Sequence, residues 1–377
     1  MRHVYVHVPF CRRRCSYCDF AIAVRRTVPS ERFVERIRQE WALRRSALGA
    51  QTRDAEIETL YFGGGTPSLL HPRDLTSLIA FFRDEVGFAA NPEITIEANP
   101  DDVDGMSAAL WCRGGVNRVS LGVQSLSAAV LEWMHRVHES EDGLKGVALL
   151  KDAGLASVSV DLIFGLPEGL GADPADDLRR LLEVGPDHVS AYGLTVEAGT
   201  PLARWSARGT VAVPPDDAYA GEFLRVHETL AEAGFEHYEV SNFARPGRRS
   251  RHNQAYWRGR PYVGLGPSAH SFDGAVRRWN LREWARYEAT VRSGTDPRDG
   301  DELLTAEQVD LERLYLGLRT REGVPPPAPG TPGDQVVQAA LGQGWLALEG
   351  AVVRATPEGW LRLDALVSAL TTSPDGG

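Results

Sequence analysis

The chain has 377 residues, 43% of them apolar and 24% charged, with a formal net charge of −10 and an isoelectric point near 5.5. That length exceeds one small domain and suits a large domain plus a smaller one, in an ordinary globular composition. The acidic balance excludes a bulk nucleic-acid binder, whose affinity rests on neutralising phosphates, but leaves room for a local basic pocket.

Met1 to Phe10 has a short strand pattern, not a charged segment followed by an apolar one, and no apolar run approaches the roughly 20 residues that span a bilayer. A soluble, cytoplasmic protein is expected. Short β-type runs then alternate with helix-type segments. The strands are expected at Val4–Val8, Ile57–Phe62, Ile94–Ala98, Val119–Val123, Val158–Phe164 and His188–Leu194. The first helix is expected over Ser30–Leu48, where Phe33, Ile37, Trp41 and Leu48 fall near helical spacing. Further helices are expected over Asp74–Val86, Met106–Trp111, a stretch reaching Lys151, and Pro174–Val184. Strands alternating with helices give βαβ units and a parallel sheet. Six such units make an open doubly wound sheet or an incomplete (β/α)6 barrel. The polar motifs cluster at the C-terminal ends of the strands, where parallel barrels build their sites, and this favours the barrel.

Residues 1–215 are therefore read as a partial barrel. Residues 216–302 are read as an accessory segment, opening with a helix over Asp216–Ala233 and then rich in aromatics, His, Asn, Arg and Gly. A small, mainly helical domain is expected over 303–370, with helices at Thr305–Leu318, Asp334–Leu341 and Pro357–Leu370 and a hairpin within Trp345–Val353. Its Pro-rich stretch Val324–Pro332 reads as an exposed loop. Helices with a small β wing resemble a winged helix. Residues 371–377 are expected to be a disordered tail.

Four cysteines are present, and Cys11, Cys15 and Cys18 fall together just after the first strand, a pattern that is no disulfide framework in a chain this size. Three thiolates at this spacing can ligate three irons of a cubane cluster and leave the fourth open. An open iron can hold the amino and carboxylate groups of S-adenosylmethionine (SAM), and the protein supplies positioning and electronics. The arginines at 12–14 favour thiolate over thiol. The competing reading is zinc, with His7 or Asp19 as a fourth ligand. Cys112 reads as a small core residue.

Other unusual residues also end strands. Gly63-Gly64-Gly65-Thr66-Pro67 follows the second strand, and such glycines let a ligand approach the backbone. Glu97 ends the third strand, Gln124 the fourth, and Asp161 lies on the fifth, with Arg136 in the loop and helix after the fourth. Each alone could be a satisfied core or cap group, and Tyr5 reads as strand packing. Five strands aiming polar groups at one end are harder to explain by structure only.

Taken together, Tyr5-Val-His-Val-Pro-Phe-Cys11, Cys-x3-Cys-x-Tyr-Cys-Asp-Phe, GGGTPS, EANP, SLGVQS and DLIFGLP resemble the radical-SAM family of oxygen-independent coproporphyrinogen III oxidases and their relatives, over nearly the whole chain. Within that family the sequence is most similar to the HemW-type heme chaperone branch. The oxidases have a further cysteine two positions after the third, where this chain has Asp19-Phe20. They also carry an extension before the cluster, and His252-Asn253-Gln-Ala-Tyr256-Trp257 matches a stretch associated with heme in the chaperone branch. The resemblance implies a [4Fe–4S] cluster on Cys11, Cys15 and Cys18. It implies SAM contacts from Tyr5, Gly64, Gly65, Thr66, Glu97, Gln124, Arg136 and Asp161, with Tyr17 on the adenine side.

The segment 237–272 is rich in His, aromatics and Arg, which suits a heme: imidazole binds iron, aromatic faces cover the macrocycle and arginines pair with propionates. His252 is the first-choice ligand, with Asn253, Tyr256 and Trp257 beside it. The bland alternative is a barrel-closing segment whose His and Tyr satisfy local hydrogen bonds. The function expected is heme binding and delivery to an acceptor protein, membrane-associated or not, with cluster and SAM as partners and no nucleic acid. The alternative is oxidative decarboxylation of coproporphyrinogen III to protoporphyrinogen IX. A DNA-binding winged helix is disfavoured by the acidic balance.

Overall fold

The computed structural model describes residues 2–45, 55–171 and 173–371. Six parallel strands form the centre: β1 (His3–Val8), β2 (Ile57–Gly64), β3 (Phe88–Ala98), β4 (Arg118–Gln124), β5 (Ser157–Phe164) and β6 (His188–Gly193), paired in chain order. The helices between them are α1 (Ser30–Arg45), α2 (Pro72–Glu85), α3 (Gly105–Gly114), α4 (Ala128–Trp133), α5 (Ser140–Asp152) and α6 (Pro174–Glu183). The expected end of the first helix, through Leu48, lies outside the described residues, as does all of the expected tail beyond Thr371.

Each central strand alternates by two, but both faces are covered. The outward positions are apolar: Val4, Val6 and Val8 on β1, Leu60 and Phe62 on β2, and Val158 and Val160 on β5 are buried in the main core with Phe33 and Ile37 of α1. The inward positions are polar, for example Tyr5 and His7, Thr59 and Tyr61, Thr95 and Glu97, Ser159 and Asp161. Tyr192 from β6 joins residues of β2 to β5 around one cavity, so the sheet curls about a lumen into an incomplete barrel. A lumen lined this way must satisfy its own hydrogen bonds, and it does so across strands: Tyr61 donates to Glu97 at 2.9 Å and Ser120 to Asp161 at 2.9 Å.

After β6 come α7 (Pro201–Ala207) and α8 (Asp216–Glu232), then β7 (Glu236–Glu239), β8 (Asn242–Ala244), α9 (Arg251–Trp257) and β9 (Val263–Leu265). β8 adds antiparallel to β6, β7 adds outside it, and β9 adds parallel to β1 at the other edge, giving a nine-stranded sheet. The segment 238–257 closes the N-terminal end of the barrel. Glu93 of β3 accepts from the backbone N–H groups of Arg251 and His252, and Tyr238 bonds His188 of β6 at 2.8 Å.

A three-stranded sheet follows, β10 (His270–Phe272), β11 (Val276–Asn280) and β12 (Arg298–Leu303), with α10 (Trp284–Arg292) inserted before β12. The expected boundary at 302/303 falls within β12, whose Leu303 pairs Val276. The last part contains α11 (Ala306–Arg319), α12 (Pro332–Gly342), the hairpin β13 (Leu346–Glu349) and β14 (Val352–Ala355), α13 (Pro357–Trp360) and α14 (Leu363–Thr371). One helix was expected over Pro357–Leu370. It is instead two, because the Trp360 ring turns into the core, where its indole N–H donates to Leu318 O at 3.0 Å.

Candidate functional site

A cavity of about 350 Å³ opens at the C-terminal ends of the parallel strands. The loop after β1 brings Cys11, Cys15, Tyr17 and Cys18 to one side of it, all three cysteines as free thiols. Thr66 donates to Cys11 Sγ at 3.5 Å, and Arg136 Nη1 approaches Cys15 Sγ at 3.7 Å. Burial pushes the Cys11 thiol up to about 11 and raises that of Cys18 as well, so thiolates there require a cationic partner. Among the described residues, no three or more His, Cys, Asp or Glu gather closely enough for a single metal ion. Three thiols set around one wall suit a multi-iron cluster, which meets its ligands at separate irons. His7, weighed as a fourth zinc ligand, has both ring nitrogens engaged, by Tyr5 OH at 3.1 Å and Ala21 O at 3.1 Å.

The opposite walls come from the strand ends. Gly64 has φ +112°, and a Cβ there would stand 2.6 Å from the His7 ring; one on Gly65 would stand 2.8 Å from Phe10 O. Glycine is therefore required where β2 passes the cysteine loop, and it leaves the backbone open to a ligand. Glu97 accepts from the N–H of Gly64 at 2.9 Å as well as from Tyr61. Burial pushes Glu97 up to about 7 and Asp161 up to about 6. Two buried carboxylates that share one cavity favour a cationic guest.

Arg136 is the counterweight. Its guanidinium donates to Asn99 Oδ1 and Gly122 O, each at 2.7 Å, while its buried Nε–H has no acceptor. Gln124 adopts φ +68° at a register shift in β4, and His135 adopts φ +60° beside Arg136. Non-glycine residues in the left-handed region are costly, and such strain concentrates at functional sites. The donor set as a whole fits a SAM-bound cluster: three thiols, acidic groups for a sulfonium and an ammonium, and an under-satisfied arginine for a carboxylate.

Of the residues expected around SAM, Tyr17, Gly64, Gly65, Thr66, Glu97, Gln124, Arg136 and Asp161 all line this cavity with the cysteines. Tyr5 does not: it lies deeper in the lumen, bonded to His7 and packed on Tyr61 at 6.1 Å. The four residues expected around heme lie at the far end of the barrel. His252 is 1% exposed, with Nδ1 2.7 Å from Thr59 Oγ1 and Nε2 2.8 Å from Tyr256 OH. Asn253 follows the Ser250 cap, whose Oγ accepts from its N–H at 3.3 Å, and Trp257 lies under the Arg319 guanidinium at 4.4 Å. As folded, residues 250–257 close the barrel, and both ring nitrogens of His252 are engaged. Asn99, Ser120, His135 and Tyr192 also line the cavity and were given no role from sequence. The period of two from Asp161 through β5, and from His188 through Ser190 to Tyr192, was the available signal.

The description of the radical SAM superfamily matches residues 5–171. The heme chaperone HemW of Mycobacterium tuberculosis is 38% identical over 370 residues, covering 97% of this chain and 94% of that protein. The heme chaperone HemW of Escherichia coli is 38% identical over 268 residues, 71% of this chain and 69% of that one. Among solved structures, the coproporphyrinogen III oxidase HemN of Escherichia coli superposes with a TM-score of 0.80 at 21% identity, covering 98% of this chain and 90% of that one, which establishes a shared fold.

Proposed function

Because the chain belongs to the HemW family of the radical SAM superfamily, we propose that it binds heme and passes it to an acceptor protein, and that it carries a SAM-bound [4Fe–4S] cluster. The observation that supports this reading is the convergence of Cys11, Cys15 and Cys18 with Glu97, Arg136 and Asp161 on one cavity, in a chain whose relatives are named heme chaperones. In this reading the three cysteines hold the cluster, and the strand ends hold SAM. When bound and reduced, such a cluster would supply an electron for cleavage of SAM. The protein's own part is to hold the ligand's cationic groups against Glu97 and Asp161, its carboxylate against Arg136, and its backbone against Gly64 and Gly65.

Residues 1–215 then form the cofactor barrel, the following segment through β12 closes it, and residues 304–370 form a small, mainly helical unit that meets the acceptor. No helix among the described residues is long and apolar enough to cross a membrane. We place the protein in the cytoplasm, with a membrane-associated acceptor reached from there.

The test is transfer. Heme-loaded protein is mixed with an apo-hemoprotein, and the acceptor's own absorbance spectrum is followed. Transfer faster than from free heme or from heme-loaded albumin supports the chaperone reading. Anaerobic conversion of coproporphyrinogen III to protoporphyrinogen IX in the presence of SAM and reductant, without heme transfer, replaces it by the oxidase reading.

A further inference from the structure

Resting on the reading of the chain as a heme binder, we propose that heme docks across the rim of the cysteine cavity, with His135 as its iron ligand and Arg13 and Arg14 as its propionate partners. The rim is apolar and exposed. Phe20, Val137 and Tyr192 all line the cavity, yet they are 57%, 54% and 44% exposed. Large apolar side chains gathered at a cavity mouth and ringed by charge mark a surface that something covers. A porphyrin is a flat apolar disc that would cover it.

Charge sets the orientation. The depth of the cavity holds the two buried carboxyl groups Glu97 and Asp161, which themselves offer an anion no counter-charge. Arg12 and Arg13 of the cysteine loop line the cavity, and Arg14 follows them, exposed, on the same loop. Arg12 is already paired with Asp101 and Asp102. Arg13 reaches only the carbonyl of Arg136, at 3.5 Å, and Arg14 is exposed with no ion pair among the described residues. Two free guanidiniums over an acidic interior therefore draw a dianionic ligand to the outside edge, while SAM takes the inside. Size agrees: about 350 Å³ is at the small end of ligand pockets, enough for one nucleoside-sized molecule and not for a macrocycle as well.

The imidazole is also in place. His135 is the only histidine lining this cavity among the described residues, and it meets Trp205 edge-on at 5.7 Å. Its ring makes no hydrogen bond among the described residues, and its backbone is held at φ +60°. His252 differs on every count: it is buried, and both its nitrogens are engaged within the barrel floor. An imidazole at an apolar rim with neither ring nitrogen hydrogen-bonded is the group that heme iron takes.

The experiment is a heme titration of the full chain carrying its reconstituted cluster, followed by Soret absorbance. It compares wild type with Arg13→Glu/Arg14→Glu, Tyr192→Ser, His135→Ala and His252→Ala. Tyr192 is remote in sequence from the cysteines, so it reports on the rim even where the arginine variant disturbs the cluster. The proposal expects wild-type binding to weaken with salt, at least about tenfold weaker binding in the arginine variant with that weakening by salt lost, and a shifted Soret band in His135→Ala. It also expects wild-type-like affinity in His252→Ala. Wild-type affinity and spectrum in the rim variants, with binding lost in His252→Ala, overturns the rim site and leaves heme binding intact. No saturable binding by the wild-type chain overturns the heme reading itself.

Discussion

His252 and Tyr256 join ring nitrogen to hydroxyl at 2.8 Å within one turn of α9, and the other nitrogen of His252 bonds Thr59 on β2, 193 residues away in sequence. This couples the closing segment to the barrel wall. His252→Ala leaves Tyr256 without its partner, leaves Thr59 with His3 alone at 3.0 Å, and opens a cavity under Tyr61, whose ring stacks on the histidine at 5.0 Å. The loss should be about 2–4 kcal/mol in denaturant unfolding. Tyr256→Phe, which keeps the ring, should cost about 1 kcal/mol. A variant as stable as wild type would show that α9 is not held through this residue.

The same burial makes the fold acid-sensitive. His252 is pushed down to about 3 and His7 and His138 to about 4, each chiefly by burial, from an ordinary value of 6.5. The unfolded chain takes up these protons first as pH falls. The stability that the neutral rings contribute is present above about 6.5 and is lost progressively as pH falls toward 3–4. Urea midpoints of the apo-chain should therefore drop between pH 6.5 and 4. Replacing His138 with Gln should flatten part of that drop.

Cys15→Ala should abolish the broad iron–sulfur absorbance after anaerobic reconstitution, whereas Cys112→Ala should keep it. Cys112 lies on α3, packs against the main core and does not line the cavity. Full cluster content in Cys15→Ala would remove that residue from the ligand set.

Much of this site was legible because its residues sit at strand ends, and strand ends are visible in local alternation. The cysteines, the glycine run, Glu97 and Asp161 each announce themselves within a few residues of sequence. The floor was not legible in the same way. Whether His252 faces solvent or a lumen depends on Thr59 and on Glu93, which caps the backbone of α9 from 159 residues away, and no local period encodes such pairings. Tyr192 was missed for another reason: the sixth strand was expected over His188–Leu194, but its alternate positions His188, Ser190 and Tyr192 carry no motif that marks them as facing a cavity.

Gly64→Ala tests how tightly the glycine run is pinned. At φ +112°, with the His7 ring 2.6 Å from the new methyl, the strand end must shift. A cost of about 1–3 kcal/mol is expected from the backbone conformation alone. The cysteines lie on another loop, so cluster absorbance should persist while SAM affinity falls. Equal loss of both would mean that the glycine run supports the cysteine loop instead of the ligand.

The last prediction concerns the carboxylates inside the cavity. Glu97 and Asp161 stand at about 7 and about 6 when folded, against ordinary values of 4.5 and 3.8. In the empty protein they hold protons that the unfolded chain has released. Their contribution to stability is therefore most favourable below about 4 and declines as pH rises to about 7. A ligand bearing a sulfonium and an ammonium reverses the preference, because it needs both groups ionised. SAM affinity should rise from pH 6 through about 7 and level off above that, with protons released on binding at the lower end. Calorimetry at pH 6.5 in two buffers of different ionisation enthalpy reads that release directly. Glu97→Gln should bind more weakly at pH 8 and lose most of the pH dependence. An affinity that does not change with pH, with no proton released, would mean that neither carboxylate meets the ligand's charge.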